Sequence, residues 1–529
     1  VHLPSGWHPR LRQADPPVTV LVTIAGLGGV RDQAAGHPAL LPGALRFSVT
    51  PAHVTSAHAT GTIPFWPLLA AWPDLRLRIS PHERRAEITE AKFTVLADAD
   101  FPYDRLGKAG LNSLVCRVDL WMPGLTLEET VGLLFGPADG AVSGRRFGRV
   151  EFTAQDRPTK EDVSFNPGPF DLADFPEAPP FVSGFEGRWR RVLGLFANQV
   201  PLVQIDKDGQ RFYLMDGAPL QNPRRYFVGG IELTTEAEKP SIHVVPFPSD
   251  PTRVYTEVRF REPIRQTGIM GFVTASEFVT VDGDRPITAL LTDSALGAYE
   301  LDPETAGLLA ATERDFAGLQ MIASEGNILS VVTDRLLPQT DLLMHWRLGR
   351  ARFYKLLDDG PERSVALGQG LIHRTDGGQL GDDVWNVLEV AYTRNFLAPI
   401  EELKPKDSIP VDRSYGGSVG ALLAASERAY GRRLRPTINA LDLVSADANV
   451  AVPPGARRLA ELEARLHAFD HSLDVYAATY EWAMAQDLNY RYLLTDPDEG
   501  YVDKAVRLVG WQPLPGVVAV TFQSEDADA

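Results

Sequence analysis

Gly416-Gly-Ser418-Val-Gly420 has the Gly-x-Ser-x-Gly spacing of a nucleophile elbow. In such an elbow a tight turn between a buried strand and a helix presents the serine at a sheet edge. Ser418 is therefore the candidate catalytic residue, with Asp442 or Asp447 and then His467 or His471 following in triad order. Only half of the required context is there. An Ala/Leu-rich helical run follows, but Pro410-Val-Asp-Arg-Ser-Tyr415 is too polar for a central parallel strand, and no βα units precede it. The simpler reading is a glycine-rich turn with Ser418 near a helix N-terminus.

His467-Ala-Phe-Asp-His471 sets two imidazoles four residues apart, with Asp470 and Asp474 close by. On one helical face that spacing can hold a metal ion, which makes His467 and His471 the candidate metal ligands. The segment lacks the glutamate of the zinc-protease motif and falls where helix gives way to strand; a solvated helix end, where histidine suits the dipole, is the simpler reading. His53 and His58 carry no more weight. Asp206-Lys-Asp-Gly209 begins like a calcium loop, but Phe212, Tyr213 and Leu214 stand where further oxygens are needed, so it reads as a hairpin turn. Asp98-Ala-Asp100 and Asp496-Pro-Asp-Glu499 are turn chemistry too. Ala25-Gly-Leu-Gly-Gly29 lacks the lysine and spacing of a phosphate loop. The pairs Arg190-Arg191, Arg224-Arg225, Arg432-Arg433 and Arg457-Arg458 read as salt-bridged or interface cations. No cofactor is implied.

The elements that must position these residues are mostly strands. Val18–Ile24, Leu75–Ile79, Ala86–Leu96, Leu114–Met122 and Arg149–Ala154 are β-branched or alternate with period two. Phe47 to Pro73 has no charged side chain but four prolines, and reads as loop plus a short element. Pro158 to Pro180 reads as a linker. Leu202–Ile205 and Gln210–Leu214 flank one turn, and Val279–Val281 and Ile287–Leu291 flank another at Asp282-Gly-Asp284. Pro303–Ala311 forms a short helix with Asp302 as N-cap. Leu329–Val332, Leu342–Leu348 and Val384–Tyr392 are expected strands. Helices are expected over Ser418–Tyr430 and Ala456–His467, and strands over Tyr501–Trp511 and Val517–Phe522, joined by Pro513-Leu-Pro-Gly516. The class is mostly β with a few helices (α+β).

The 529 residues suffice for about three to four domains. We expect an N-terminal β domain over 1–175, a β-rich middle domain over 176–400 with a variable insertion near 265–345, and an α+β domain over 401–529. A formal charge of −17 argues against gripping DNA, since phosphate binding needs a basic surface. The single cysteine, Cys116, lies in an apolar run and reads as a buried, inert thiol. The apolar first residues lack the basic stretch of a secretory signal, and no run of about 18 apolar residues suggests a membrane span.

Three stretches, in order, resemble bacteriophage tail-tip and baseplate hub proteins. The first runs from Arg117-Val-Asp-Leu-Trp-Met-Pro through Leu133-Leu-Phe-Gly136, as an apolar turn, to a strand ending in Asp156. The second is Val384–Asn395. The third runs from Ser426-Glu-Arg-Ala-Tyr-Gly-Arg through Ala456–Leu466 to Lys504–Trp511. The resemblance covers about half the chain; residues 1–110 and 265–345 depart from it. It implies small β-barrels, two of which mimic tail-tube subunits, so that a trimer presents a pseudo-sixfold ring to the tube. It implies no catalytic residue, a virion location after assembly in the host cytoplasm, and tail-tube, distal-tail and tip or fibre proteins as partners. DNA would make only transient, non-specific contact with an acidic channel. Another baseplate or distal-tail ring protein is an alternative, as is a serine hydrolase or carbohydrate-active β protein.

Overall fold

A computed structural model describes residues 4, 7, 11, 17–26, 37–41, 43–81, 85–86, 89–96, 114–143, 148–157, 171–180, 182, 191–196, 200–235, 238–264, 273–276, 278–280, 285–292, 299–315, 320–323, 327–356, 363–379, 384–394, 405–440, 443 and 452–525. Ten strands come first: β1 (Thr19–Gly26), β2 (Leu45–Ser48), β3 (Ala52–Thr55), β4 (Thr62–Phe65), β5 (Asp74–Ser80), β6 (Arg85–Ala86), β7 (Glu90–Leu96), β8 (Leu114–Trp121), β9 (Val131–Ser143) and β10 (Arg149–Gln155). The order β2-β1-β8-β9-β10-β7 is antiparallel throughout. It closes into a barrel through residues 66–70. Ser48 N donates to Trp66 O at 2.8 Å and Leu69 N to Ser48 O at 3.1 Å, while Leu96 N donates to Leu68 O at 2.7 Å and Ala70 N to Thr94 O at 2.9 Å. Closure removes the free edges that would otherwise template aggregation. Phe93 and Phe152 stack inside with ring centres 5.4 Å apart.

The alternation in β5 and β7 buries every second residue, as their sequences predict. The uncharged segment 47–73 differs from expectation: it supplies the end of β2, all of β3 and β4, and the closing segment of the barrel. Phe135-Gly136 is likewise no turn. It lies inside β9, where a Cβ on Gly136 would sit 2.0 Å from Gln155 O, so glycine lets the adjoining backbone approach.

The middle of the chain is built from β11 (Arg191–Phe196), β12 (Val200–Pro201), β13 (Val203–Gln204), β14 (Arg211–Asp216), β15 (Pro219–Gln221), β16 (Arg225–Val228), β17 (Ile231–Glu232), β18 (Ser241–Pro246), β19 (Val254–Arg259), β20 (Val273–Ser276), β21 (Phe278–Thr280) and, further on, β22 (Gln320–Ala323). They form three four-stranded sheets, β15-β21-β11-β22, β12-β20-β16-β17 and β13-β14-β19-β18. Asp206 makes the expected turn, its carboxylate accepting from Gly209 N at 2.9 Å and Gln210 N at 3.1 Å. Residues 171–180 are more than linker, because Phe175 is buried in an aromatic cluster with Tyr213, Phe247 and Tyr255.

Two expected strands are helical. Ile287–Leu291 lies in α1 (Pro286–Thr292), and Leu329–Val332 lies in α3 (Ile328–Ser330) and the π-helical turns 331–336 that continue it. Between them, α2 (Ala306–Asp315) starts later than expected, with Asp302 O accepting from Ala306 N at 3.0 Å. Glu313 explains α1. Its carboxylate accepts from Ile287 N, at 2.5 Å, and Thr288 N, at 3.1 Å, capping the helix from a distant position.

A hairpin follows, β23 (Leu342–Arg347) and β24 (Arg350–Lys355), then β25 (Arg363–Ala366), β26 (Leu371–Gln379), β27 (Leu388–Arg394), β28 (Pro405–Val411), α4 (Gly417–Tyr430), β29 (Ile438–Ala440), α5 (Pro454–His467), β30 (Ser472–Ala478), α6 (Tyr480–Ala485), β31 (Arg491–Asp496), β32 (Tyr501–Leu514) and β33 (Val517–Ser524). Six of these make a second, barrel-like sheet. Its order is β26-β30-β33-β32-β31-β25, and its end strands β25 and β26 are joined by the turn 367–370, where Gly368 N donates to Leu371 O at 2.8 Å. Its core is a cluster of Tyr476, Trp482, Tyr492 and Phe522 rings. The β32–β33 turn is tighter than expected, only Pro515-Gly516, with Gly516 at φ +78°. Strand pairing between β26 and β30 crosses the expected domain boundary at 400/401. The chain is thus mostly β with several sheets.

Candidate functional site

Ser418 stands exposed in the first turn of α4, after β28. β28 is an antiparallel partner of β27, not the central parallel strand an elbow requires. The glycines are explained by the turn: Gly417 has φ +73°, and a Cβ on Gly420 would meet Tyr415 O at 1.8 Å. The proposed acids Asp442 and Asp447 lie outside the described residues. His467 is buried, with Nε2 3.5 Å from Glu463 Oε2, and Glu463 also pairs with Arg435. His471 is past the end of α5, so the two histidines do not share a helical face. Its ring nitrogens lie 2.7 Å from Ser524 O and 2.8 Å from Leu466 O. Among the described residues no group of three or more metal-binding side chains converges. His53 is exposed on β3 and His58 in a turn. Arg225 and Arg458 are salt-bridged, to Glu232 at 2.5 Å and Asp341 at 2.6 Å. Cys116 is fully buried, and burial pushes its thiol far up.

The arrangement that most distinguishes the molecule is the junction of its two barrels. β5 of the first pairs with β32 of the second, through Arg78↔Gly510 and Leu77↔Trp511. Gln512 Nε2 adds a bond of 2.9 Å to Asp74 Oδ1. The two barrels therefore share one 14-stranded sheet. A groove of about 560 Å³ runs along this seam, with Arg76, Arg78, Asp376 and Gln512 on its walls.

The β23–β24 hairpin braces the junction from another side. At its tip, Leu348 (φ +51°) and Gly349 (φ +77°) form a two-residue turn that leucine adopts at a cost. Asp156, at the end of β10, holds it: its carboxylate accepts from Leu348 N and Gly349 N, each at 2.9 Å. Gly132 of β9 lies under Leu348, where an added Cβ would be 2.9 Å from the leucine methyls. Burial pushes the Asp156 carboxyl up to about 7, against the opposing pull of the Gly349, Leu348 and Phe135 N–H groups. At the hairpin's other end, buried Arg352 pairs with Asp302 at 3.1 Å, with Glu304 at 2.9 Å and with Asp487. Asn489 Nδ2 donates to Lys355 O, and Asn489 N to Leu508 O at 2.7 Å. The hairpin is thus fastened to the first barrel at its tip and to the second at its base.

The first barrel has its own buried charge. Burial works against ionising Asp119, but Arg117 at 2.9 Å and His37 at 3.1 Å hold it down, at about 2. Sequence reasoning noted Asp156 only as a strand end and missed Arg352, Asp487 and Asn489. Two signals were present: a buried-looking acid after an apolar strand, and the Leu-Gly pair between two alternating runs.

No family model matches the chain, and no curated protein matches it. Solved structures similar to it at low identity include three tail proteins. A prophage 43 kDa tail protein from Shewanella oneidensis is 8% identical over 90% of this chain and 98% of that one, with a TM-score of 0.38. A tail protein from Neisseria meningitidis is 9% identical over 86% and 93%, with a TM-score of 0.33. A prophage tail protein from Listeria monocytogenes is 9% identical over 64% and 95%, with a TM-score of 0.25.

Proposed function

We propose that this chain is a structural protein of a bacteriophage tail, and that within the tail it is the hub at the tip or baseplate. The observation that carries this reading is the pair of β-barrels, the first closed and the second barrel-like, fixed side by side by main-chain pairing and by the β23–β24 brace. Ring-building needs that rigidity. A subunit with two barrels contributes two positions to a ring, so three copies fill six, and any play between the barrels would spoil closure. Order in the sequence supports the same reading, since the tail-hub resemblance falls on β8 to β10 and on α4 to β32. In this role the chain joins the tail tube to distal tip or fibre proteins in the virion, after assembly in the host cytoplasm. Its net charge of −17 keeps a channel surface non-adhesive to passing DNA. The chemistry is assembly, not turnover; exposed Ser418 lacks the strand that would make it an elbow.

The test is gold-labelled antibody against this chain on tail particles from producing cells. Label confined to the tail tip is expected. Label along the tube, or none on tails, would overturn the hub assignment.

A further inference from the structure

Acidic side chains outnumber basic ones on this chain, 69 to 52, yet three arginines meet in one cleft. Arg465 of α5, Arg491 at the start of β31 and Arg507 of β32 line a space of about 260 Å³ with Leu422, Leu466 and His471. Glu525 is the one acid on the wall, gripped by Arg491 at 2.5 Å and by Arg507. Arg507 is buried and further fixed by Asn489 O at 2.9 Å, so the positive floor is built in, not mobile. Arg465 is exposed above it, leaving the cleft with a net positive charge.

The opposite end of the same hairpin is its complement. β31 runs from Arg491 at the cleft to Asp496, about 17 Å away at strand rise. There Asp496 caps a turn, its carboxylate accepting from Asp498 N at 3.0 Å. Pro497, Asp498, Glu499, Gly500, Val502 and Asp503 are exposed, and Val502 at 78% is the most exposed of the large apolar side chains described. Glu499 is paired with Arg374 of the same copy, so this end offers Asp498 and Asp503 beside apolar Val502. The other offers arginines with leucines. Because the two ends belong to one rigid element, they cannot meet within a copy.

We infer that copies of this chain associate head to tail, the exposed 497–503 turn of one copy entering the arginine-lined cleft of the next. A contact between two different patches is heterologous, and such contacts close into rings when the rotation permits. This deepens the structural role proposed above by naming a contact, and relies on that role only for the contact's purpose. Opposite charges across such a contact set its register and partner, with affinity that falls as salt rises.

Sedimentation of the full-length chain over a range of concentration and salt tests it. Self-association is expected, weakened about tenfold or more by Arg465→Glu and by Asp498→Lys. The double variant should recover it, because its glutamate then faces a lysine. Val502→Ser, at an exposed position, should weaken it without changing charge. A chain that stays monomeric throughout overturns the contact, as does association that the single variants leave unchanged. So does an Arg465→Glu chain that loses thermal stability rather than association, since the cleft is then filled from within. Any of these alongside gold label at the tail tip would leave the hub reading standing. The reverse result, a working contact with no tail label, would remove the hub reading and keep the contact.

Discussion

Replacing Asp156 by asparagine should remove a one-proton dependence of local stability on pH. The folded chain holds the Asp156 proton up to about pH 7, whereas an opened chain releases it near the ordinary value of 3.8. Between those values the folded form binds the proton and the opened form does not. Stability from this group is therefore complete below about pH 4, declines as pH rises, and stops declining above about pH 7. Each pH unit is worth about 1.4 kcal/mol, so the window amounts to about 4 kcal/mol in order of magnitude. Asparagine keeps one oxygen for the Leu348 or Gly349 amide but has no proton to lose, so its profile lacks this slope. The assay is hydrogen exchange of a peptide spanning 342–355, in both proteins, at several pH values. Intrinsic exchange and the similarly raised Glu313, at about 7, contribute alike to both and cancel in the difference. The opening constants should diverge by about tenfold per pH unit between about pH 4 and pH 7. Parallel curves would refute the claim that Asp156 is a buried, proton-sensitive clamp on the hairpin tip.

Gly136→Ala should destabilise the first barrel by about 1–3 kcal/mol or more, because the new methyl meets the main-chain oxygens of Gln155 and Arg157 rather than a movable side chain; thermal unfolding reads it. Arg352→Ala strands Asp302 and Asp487 without their cation and should cost about 3–5 kcal/mol, seen as a lower urea midpoint; a change under about 0.5 kcal/mol would contradict the brace. Ser418→Ala should leave stability within about 0.5 kcal/mol and leave ester hydrolysis by the purified chain unchanged. Zinc or a chelator should not move the melting temperature, since His471 already directs both ring nitrogens at main-chain oxygens.

What was legible in the sequence was what neighbours along the chain decide. Leu75–Ile79 reads as a strand because its alternation is complete, and β5 has that burial. The run Ser418–Tyr430 reads as a helix and is one, starting a residue earlier. Misreadings arose where a distant residue decides. Ile287–Leu291 is β-like locally, but Pro286 opens a helix there and Glu313 caps it from 26 positions away. The segment 47–73 looks like loop until its main chain is needed to close a barrel between β2 and β7. Asp156 looks like the end of a strand because the amides it binds come 192 and 193 residues later. For the same reason neither barrel closure nor the brace was readable: both consist of main-chain groups and single side chains brought together across long intervals. The candidate chemical residues fared differently. Spacing alone nominated Ser418, His467 and His471; β28 is not the strand an elbow requires, and among the described residues no metal-binding group forms around the histidines.

The brace gives the two-barrel arrangement a physical basis. Two residue pairs between β5 and β32 make a narrow hinge by themselves. Adding Asp156 at one end of β23–β24, and Arg352 with Asn489 at the other, fixes a second line of contact and turns the hinge into a rigid joint. Tightening of that kind suits a subunit whose product is a geometry.

Cryo-electron microscopy of the intact tail tip tests the central claim most directly. The account predicts a ring in which this chain's two barrels recur around the tail axis, three copies supplying six barrel positions against the tube. A tip whose barrel positions are filled by another protein, with this chain absent or lying elsewhere in the particle, would contradict it.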